Sequence, residues 1–404
     1  MPGCTSVTFA HDGLKRLALS RALSGLLLCA LCFVLLAATA ARATTWLVGP
    51  AAPAMSLIDA LGQAQDGDTI AVLEGEYNGQ VGVITQRRLT IRGIGKRPLL
   101  RAGGRIAEGK AILVVREGEI TIENLEFSGA RAPDGNGAGV RFEKGKLLVK
   151  GCVFRDNEIG LLTANFGDAE MDIVDSEFGQ APHAEGSLPH LLYVGRIARF
   201  SVTGSRFHEG YEGHMIKTRA MRSRISYNMI YDGPGGQASY QIDMPNGGVA
   251  HLIGNVIGQN AQAQNRTVVA YGAEGQAWPD SALYMAHNTL LSSGWVPALF
   301  VRIFEDRLPA AAPIHVINNL SAGIGVLSPM ARGVFAGNER TLGRWLRSPL
   351  VLDFALPADS WLRGRAVDAT RVGGQDLAPK AEFVMPIGTR PIQPPAAWSA
   401  GAFQ

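Results

Sequence analysis

Short stretches in which apolar and polar residues alternate recur along the middle of the chain, and each ends in a large apolar residue. Eight such units stand at 120–127, 147–154, 171–178, 200–207, 223–230, 250–257, 283–290 and 314–320. Their last residues are 27, 24, 29, 23, 27, 33 and 30 positions apart. Alternation with period two predicts β-strands, and repeats too short to bury a face alone indicate a solenoid. The pattern therefore predicts an all-β protein built as a β-solenoid of about eight or more coils.

One position recurs inside these units, two residues before each terminal apolar residue. The series there is Leu125, Cys152, Ser176, Ser205, Asn228, Asn255, Asn288 and Asn318. Successive asparagines at one repeat position predict a ladder of stacked amides, each donating to the next, inside a turn whose backbone groups need partners. Cys152 occupies one of these positions and is expected to pack in the core.

Segments near both ends of the chain extend this pattern. Residues 56–61 read SLIDAL, 66–72 read DGDTIAV, 75–77 read GEY and 89–93 read LTIRG, and the chain closes with SP at 348–349, AVD at 366–368 and GAF at 401–403. With these segments the chain resembles the right-handed parallel β-helix proteins of the pectate-lyase-like superfamily. The resemblance implies an N-terminal capping helix at 56–64, which would cover the unpaired edge of the first coil. It also implies an irregular C-terminal tail, so we expect a β-helix domain at 44–341 and a capping tail at 342–404.

Residues 1–43 have the features of an export signal. Lys15, Arg16 and Arg21 precede an uncharged run at 22–41, and residues 41–43 form an A-x-A cleavage site. We therefore expect a periplasmic or extracellular protein with no membrane span after cleavage. The alternative is an uncleaved membrane anchor, since a run of this length can span a bilayer. Cleavage would leave Cys152 as the remaining cysteine, and hence no internal disulfide.

Composition narrows the function classes. Glycine supplies 49 of 404 residues, with 47% hydrophobic and 18% charged residues, which indicates a turn-rich globular fold and excludes collagen and general disorder. The predicted signal carries four of the 38 basic residues and one of the 35 acidic residues, which leaves 34 of each. The mature protein is therefore neutral, and no nucleic-acid partner is predicted. We expect a monomer.

Three segments that precede the ladder positions can be aligned on one another, namely HLLY at 190–193, HMIK at 214–217 and YQID at 240–243. If their third residues face inward, alternation turns Tyr193, Lys217 and Asp243 outward in one column, with neighbours about 4.8 Å apart. Arg219 lies on the Lys217 side of its strand, and Asn246 follows Asp243 in the turn PNGG at 245–248. The candidate substrate-binding residues are His190, Tyr193, His214, Tyr240 and Asn246.

The chemistry of this column favours an acidic polysaccharide as partner. Five basic residues crowd the segment 206–224 and predict a cationic flank, although a solvated face with ordinary salt bridges is the alternative. Uronate polymers are cut by β-elimination, in which a base removes the proton alpha to the carboxylate while cations neutralise the developing charge. A lysine desolvated near other cations can serve as that base, and the arginine fork binds both oxygens of a carboxylate.

The segment 214–220, followed by Asn228, is similar to β-helix lyases that use a lysine base, and Lys217 matches that lysine. The resemblance implies Lys217 as the base, with Arg219 as the carboxylate clamp. Those lyases carry a catalytic arginine on the next coil, where this chain has Asp243. The predicted catalytic residues are therefore Lys217, Arg219 and Asp243, with this one departure from the family pattern.

Other functions remain open at this stage. Glu209, Glu212, Asp243 and Asn246 offer hard oxygen ligands for Ca²⁺. Asp243 with Glu212 or Glu274 could form the carboxyl pair of a glycoside hydrolase, but the adjacent aspartates and Gly-His-Gly motif of the pectin hydrolases are absent. A C5-epimerase would use the chemistry of the lyase. A non-catalytic carbohydrate-binding or surface scaffold would hold the polyanion without cutting it.

Overall fold

The protein is described by a computed structural model that covers Gly3 and residues 43–404, except 52, 184–187, 330 and 331. Apart from Gly3 and Ala43, the predicted export signal lies outside these described residues, so signal cleavage stays a prediction. Thr44–Gln404 forms one compact unit. Within the part of the chain that is described, no helix is long and apolar enough to cross a membrane.

The described strands form three long parallel sheets, and successive strands of the chain pass from one sheet to the next. The first sheet has twelve strands: β1 Thr45–Val48, β2 Thr69–Val72, β5 Arg88–Gly93, β8 Glu119–Glu123, β11 Lys146–Lys150, β14 Glu170–Val174, β17 Arg199–Thr203, β20 Arg222–Ser226, β23 Val249–Ile253, β26 Ala282–Ala286, β29 Ile314–Ile317 and β32 Val334–Ala336.

The second sheet has eleven strands in the described chain: β3 Glu76–Asn78, β6 Leu99–Arg101, β9 Glu126–Ser128, β12 Val153–Arg155, β15 Glu177–Gly179, β18 Arg206–His208, β21 Met229–Tyr231, β24 Val256–Gln259, β27 Thr289–Ser292, β30 Leu320–Ala322 and β33 Glu339–Thr341. The third has ten: β4 Gly82–Ile84, β7 Ala111–Val115, β10 Ala138–Phe142, β13 Ile159–Thr163, β16 His190–Val194, β19 Ile216–Thr218, β22 Ile242–Met244, β25 Thr267–Tyr271, β28 Ala298–Ile303 and β31 Gly325–Val326.

This topology is a parallel β-solenoid of about ten coils, consistent with the predicted right-handed β-helix. Each repeat unit of the sequence is two strands rather than one: the unit 120–127 covers β8 on the first sheet and β9 on the second. The chain bends between them at a residue with positive φ, such as Asn124 at 52° or Asp175 at 48°. Asparagine and aspartate tolerate this left-handed conformation better than most residues.

Side chains that point inward fill the solenoid. The terminal apolar residues of four successive units, Phe127, Phe154, Phe178 and Phe207, stack ring on ring with centroids 5.1, 4.5 and 4.8 Å apart. These spacings follow the distance between neighbouring strands, because the residues are paired in register. Cys152 is fully buried beside them, as predicted.

The asparagine ladder is confirmed along the bend between the first and second sheets. Asn228 Nδ2 donates to Asn255 Oδ1 at 2.9 Å, and Asn255 Nδ2 donates to Asn288 Oδ1 at 2.9 Å. The series continues from Asn288 to Asn319 at 2.9 Å and from Asn319 to Asn338 at 3.0 Å. Each Oδ1 also accepts the backbone N–H of the preceding ladder residue.

The prediction of Asn318 as a ladder residue is wrong by one position. Asn319 pairs with Asn288, while Asn318 lies one residue earlier with a φ of 55°. Asn318 instead exchanges hydrogen bonds with the backbone of Val367. Two adjacent asparagines thus serve two purposes, the left-handed bend and the ladder, which spacing in the sequence did not separate.

A helix, α1 Leu57–Gln63, follows the first strand. It begins after Ser56, whose hydroxyl accepts the backbone N–H of Asp59 at 3.1 Å as an N-cap. Its buried face presents Leu57 and Leu61 to the start of the solenoid, in contact with β1, β2 and β4. The capping role suggested for this helix stays a prediction.

The chain beyond β33 joins none of the three sheets within the described residues. It contains three-residue turns Gly343–Trp345 and Pro349–Val351 and an antiparallel pair, β34 Ala381–Phe383 with β35 Thr389–Pro391. This segment also packs along the side of the solenoid. The backbone N–H of Gly388 donates to Gly204 O, and the backbone N–H of Lys380 donates to the hydroxyl of Tyr227. The domain division at 342 stays a prediction.

Candidate functional site

The predicted column is present on the outer face of the third sheet. Tyr193 on β16 pairs in register with Lys217 on β19, which pairs with Asp243 on β22. Leu192, Ile216 and Ile242 pair alongside them and are fully buried in the core. The structure thus confirms the alignment on which the site was based, while the chemical roles of its residues stay predictions.

Lys217 is held between two carboxylates. Its Nζ lies 3.0 Å from Glu274 Oε1 and 3.7 Å from Asp243 Oδ2, and its side chain is 12% exposed. The ring centroid of Tyr193 lies 5.5 Å from the same Nζ. The amino group of Lys217 therefore lies at the surface of the sheet with little access to water, in contact with two carboxylates.

Arg219 completes a network above Lys217. Its Nη2 lies 2.7 Å from Glu274 Oε2, so Glu274 bridges Lys217 and Arg219 with its two oxygens. Arg219 Nε donates to the hydroxyl of Tyr193 at 3.0 Å, and its Nη1 donates to Asn246 Oδ1 at 2.7 Å. The guanidinium is therefore fixed through all three of its nitrogens.

The turn at 245–248 fixes Asn246. The Asn246 side chain donates to Gly275 O at 2.7 Å, which ties this turn to the loop that carries Glu274. Gly248 has a φ of 88°, and a Cβ there would lie 2.7 Å from Ala220 O. Glycine is required because a larger residue would push the turn away from Arg219's segment.

His190, His214 and Tyr240 form an aromatic stack three residues before Tyr193, Lys217 and Asp243 in the aligned segments. The ring centroids of His190 and His214 are 5.0 Å apart, and those of His214 and Tyr240 are 4.9 Å apart. Nδ1 of His190 accepts the backbone N–H of His214, and Nδ1 of His214 faces the backbone N–H of Tyr240 at 3.3 Å. Each histidine therefore carries its hydrogen on Nε2 when neutral.

The neutral state of these histidines has a physical cause. Burial, with the charge of Lys217, lowers the pKa of His214 to about 3. Burial also lowers the pKa of His190 well below its ordinary value, with smaller contributions from His214, Lys217 and Arg219. His214 Nε2 lies 3.4 Å from Asp243 Oδ2, so the neutral ring can donate to this carboxyl group.

Asp243 is the most deeply buried ionisable group of the column, with a side chain 3% exposed. Burial raises its pKa to about 6, against the opposing charge of Lys217 and with the negative charge of Glu274 adding to the rise. Oδ1 of Asp243 has no hydrogen-bond partner among the described residues. For Glu274, burial would raise the pKa, but hydrogen bonds from Lys217 and Arg219 outweigh it and lower the pKa.

The raised pKa of Asp243 predicts a pH-dependent stability. The pKa of Asp243 is 3.8 in the unfolded chain and about 6 in the native protein, so the native state binds the carboxyl proton more tightly. Protonated Asp243 therefore stabilises the native state at low pH, and this stabilisation is lost as the pH rises through about 6. Asp243→Asn removes the titrating group. The free energy of unfolding of the variant minus that of the wild type should therefore be higher at about pH 7 than at about pH 4, by on the order of 1–3 kcal/mol. Urea unfolding at both pH values measures this difference, and a difference independent of pH would contradict it.

One expectation from the sequence fails in the structure. The basic residues of the segment 206–224 do not form one cationic flank, because the coil carries them around all three sheets: Arg206 lies on the second sheet, Arg222 and Arg224 on the first. Only Lys217 and Arg219 of this group take part in the described contacts of the column.

Binding of Ca²⁺ stays a prediction, and its four suggested ligands do not all lie together in the described contacts. Glu209 lies against His208, with 3.3 Å between Oε1 and Nδ1. No described contact joins Glu209 or Glu212 to Asp243, and the described residues contain no group of three or more His, Cys, Asp or Glu side chains placed to hold a metal ion.

The sequence did not predict that Glu274 contacts Lys217 and Arg219, since Glu274 was considered only as a hydrolase carboxylate. It also gave no role to Trp278 in the same loop. Trp278 Nε1 donates to Arg219 O at 3.0 Å, and the Arg196 guanidinium lies 4.0 Å from the Trp278 ring centroid. A usable signal exists, since Arg219, Asn246 and Glu274 each lie within three residues of the end of a third-sheet strand. Polar residues at that point of consecutive coils meet at one edge.

No family model and no curated protein matches the sequence. Among solved structures, the crystal structure of pectate lyase Pel9A is similar with a TM-score of 0.60 at 13% identity, covering 84% of this chain and 96% of that chain. The crystal structure of an alginate lyase from Paenibacillus sp. str. FPU-7 is similar with a TM-score of 0.44 at 15% identity, covering 74% and 98%. The chain thus has the parallel β-helix fold of pectate lyase, which confirms the resemblance inferred from its sequence.

Proposed function

We propose that this protein binds an acidic polysaccharide along the outer face of the third sheet and cleaves its uronate linkages by β-elimination. The observation that carries the proposal is the bridge in which the two oxygens of Glu274 contact Lys217 and Arg219 at 3.0 and 2.7 Å. A carboxylate is thus already bound by the amine and the guanidinium that the reaction requires. The fold shared with a pectate lyase supports this function at the level of architecture.

In the proposed complex, the carboxylate of a uronate unit takes the place of the Glu274 carboxylate on Arg219. Arginine suits this group because its fork binds both oxygens, and its cation neutralises the charge that develops when the neighbouring C–H bond breaks. Departure of Glu274 also frees Lys217 Nζ from its 3.0 Å contact with Glu274 Oε1. Substrate binding and release of the Lys217 side chain are therefore coupled through a single residue.

The bond changes balance without a co-reactant. The unprotonated amine of Lys217 takes the proton from the carbon alpha to the carboxylate, and the freed electron pair forms the new carbon–carbon double bond. The glycosidic oxygen leaves with the pair of its broken C–O bond and takes a proton from solvent. Tyr193 and Asn246 orient Arg219 through the hydrogen bonds described above.

A hydrolase is the second candidate, because the environments of Asp243 and Glu274 shift their pKa values in opposite directions, as an acid and a base require. The burial of the Asp243 carboxyl group argues against a hydrolase. Asp243 is 3% exposed and is covered by Lys217 and His214, so its oxygens do not reach the surface on which a polymer would lie.

The test is a screen of alginate, pectate, glycosaminoglycans and bacterial exopolysaccharides. β-Elimination leaves an unsaturated uronate with strong ultraviolet absorbance, whereas hydrolysis yields reducing ends without it. Uronate isomers without chain cleavage would instead indicate the C5-epimerase. Binding without turnover across the panel would favour the carbohydrate-binding scaffold.

Glu274→Gln separates the two enzymatic candidates. For the lyase, the amide competes less well than the carboxylate for Lys217 and Arg219, so we expect KM to fall several-fold with kcat retained. For the hydrolase, the same change removes a catalytic carboxylate and lowers kcat by about 10²-fold or more. Steady-state kinetics on the best polymer of the screen decides between them, with Glu119→Gln on the exposed face of the first sheet as the matched control.

A further inference from the structure

Beyond the column, the outer face of the third sheet holds a second polar cavity, of ≈ 500 Å³. Arg141 on β10 pairs with Leu162 on β13, which pairs with Tyr193, so Arg141 stands in the same column as Lys217, three strands away. At the usual strand spacing this is about 14 Å. Arg141, Leu162 and Tyr193 all line the cavity, and Tyr193 also contacts Arg219.

Arg141 is a half-buried cation without a direct partner. It makes no hydrogen bond and no ion pair within 4.0 Å to any described residue, and its Nε is buried without an acceptor. The nearest acidic residues are Glu143, which binds Lys110 and Arg116 at 2.6 and 2.7 Å, and Asp134, which lines the same cavity and accepts the backbone N–H of Asn136 at 3.1 Å. Burial accordingly lowers the pKa of Arg141, against the distant charges of Glu143 and Asp134.

The rest of the cavity offers groups that suit a sugar acid. Asn165 Oδ1 accepts the backbone N–H of Arg196 at 2.8 Å, which fixes the amide and leaves its Nδ2 donor with no partner in the described structure. Phe166 is 46% exposed beside it and presents an apolar surface to the ring face of a sugar. A half-buried guanidinium, an amide donor and an exposed aromatic ring thus line one cavity.

We propose that this Arg141 cavity is a second anionic subsite, which binds the carboxylate of a uronate unit further along the polymer that lies over Lys217. The inference rests on the proposed function for its choice of ligand. Arg141 would donate to the carboxylate oxygens, Asn165 Nδ2 to a hydroxyl or carboxylate oxygen, and Phe166 would pack on the sugar ring. A polymer anchored there extends past Tyr193 onto Lys217 and Arg219.

The test measures binding of hexagalacturonate and hexamannuronate, with cellohexaose as the neutral probe, by calorimetry in the Lys217→Gln background, where the probes stay intact. A hydrogen-bonded ion pair contributes enough that Arg141→Gln should weaken binding of the recognised uronate about 10- to 100-fold. Arg92→Gln makes the same charge change on the exposed face of the first sheet and should leave binding unchanged. Asn165→Asp keeps the acceptor for Arg196 but places a carboxylate in the cavity, and should weaken binding similarly.

The outcomes distinguish this inference from the proposed function. Binding by Arg141→Gln equal to that of Arg92→Gln, or wild-type binding of cellohexaose as tight as that of the uronates, would overturn the subsite and leave the lyase proposal standing. Uronate binding that depends on Arg141, in a wild type that turns over no polymer, would support the subsite and overturn the lyase. No binding of either uronate, in a wild type that turns over no polymer of the screen, would overturn both. In an active wild type, Arg141→Gln should raise KM and leave kcat unchanged.

Discussion

Replacement of Lys217 by glutamine should lower kcat on the cleaved polymer by about 10²–10⁴-fold, the usual contribution of a general base. Glutamine nearly preserves the length of the side chain and can still donate to Glu274 and Asp243, so packing around the column is retained. What it lacks is an amine that can accept a proton. The measurement is the initial rate of ultraviolet absorbance at saturating polymer, together with the dissociation constant from calorimetry.

Binding should survive this change, because Arg219 keeps its contacts to Tyr193 and Asn246. Lys150→Gln on the exposed face of the first sheet is the matched control and should retain full activity. A Lys217→Gln variant that folds normally and loses less than about tenfold in kcat would exclude Lys217 as the base. Equal losses of affinity and rate would assign it to binding alone.

The fold was predictable because each coil repeats the same pattern of apolar and polar positions. A terminal apolar residue recurs every 23 to 33 positions, and parallel pairing in register turns this repeat into the stacked rings of Phe127, Phe154, Phe178 and Phe207. The same register made the column predictable, since a period of two and an inward Ile216 fix the outward direction of Lys217. The two strands within each unit were missed because the bend takes up one extra residue, which places the buried Ile122 and Leu125 three positions apart rather than two.

The contacts of the site were less predictable because they depend on loops. Glu274 is 57 residues from Lys217 in sequence and reaches it from the loop after β25, whose path the repeat does not specify. The prediction of one cationic flank from the segment 206–224 was wrong because the coil carries residues that are close in sequence onto different sheets. Proximity along the chain therefore does not predict a common surface. Residues one coil apart are neighbours in this fold, so a site is predicted better from aligned positions of successive coils than from residues adjacent in sequence.

The largest expected effect on stability comes from Asn288→Ala in the asparagine ladder. The amide of Asn288 accepts from the backbone and side chain of Asn255 and donates to Leu252 O, Ala286 O and Asn319 Oδ1, all in the core of the bend. Alanine leaves several buried polar groups unpaired at about 1–3 kcal/mol each, so we expect a loss of about 3–5 kcal/mol in the free energy of unfolding.

Asn288→Ser is the sharper comparison, because the chain itself uses serine at two ladder positions. Ser205 Oγ accepts the backbone N–H of Ser176 and donates to Thr203 O, which reproduces part of the asparagine pattern. The serine variant should therefore lose roughly half as much as the alanine variant, while Asn78→Ala on the exposed end of β3 should change stability by less than about 0.5 kcal/mol. Urea unfolding followed by circular dichroism measures all three. Equal stabilities for the serine and alanine variants would show that the ladder does not act through hydrogen bonds, since the hydroxyl group is what serine has and alanine lacks.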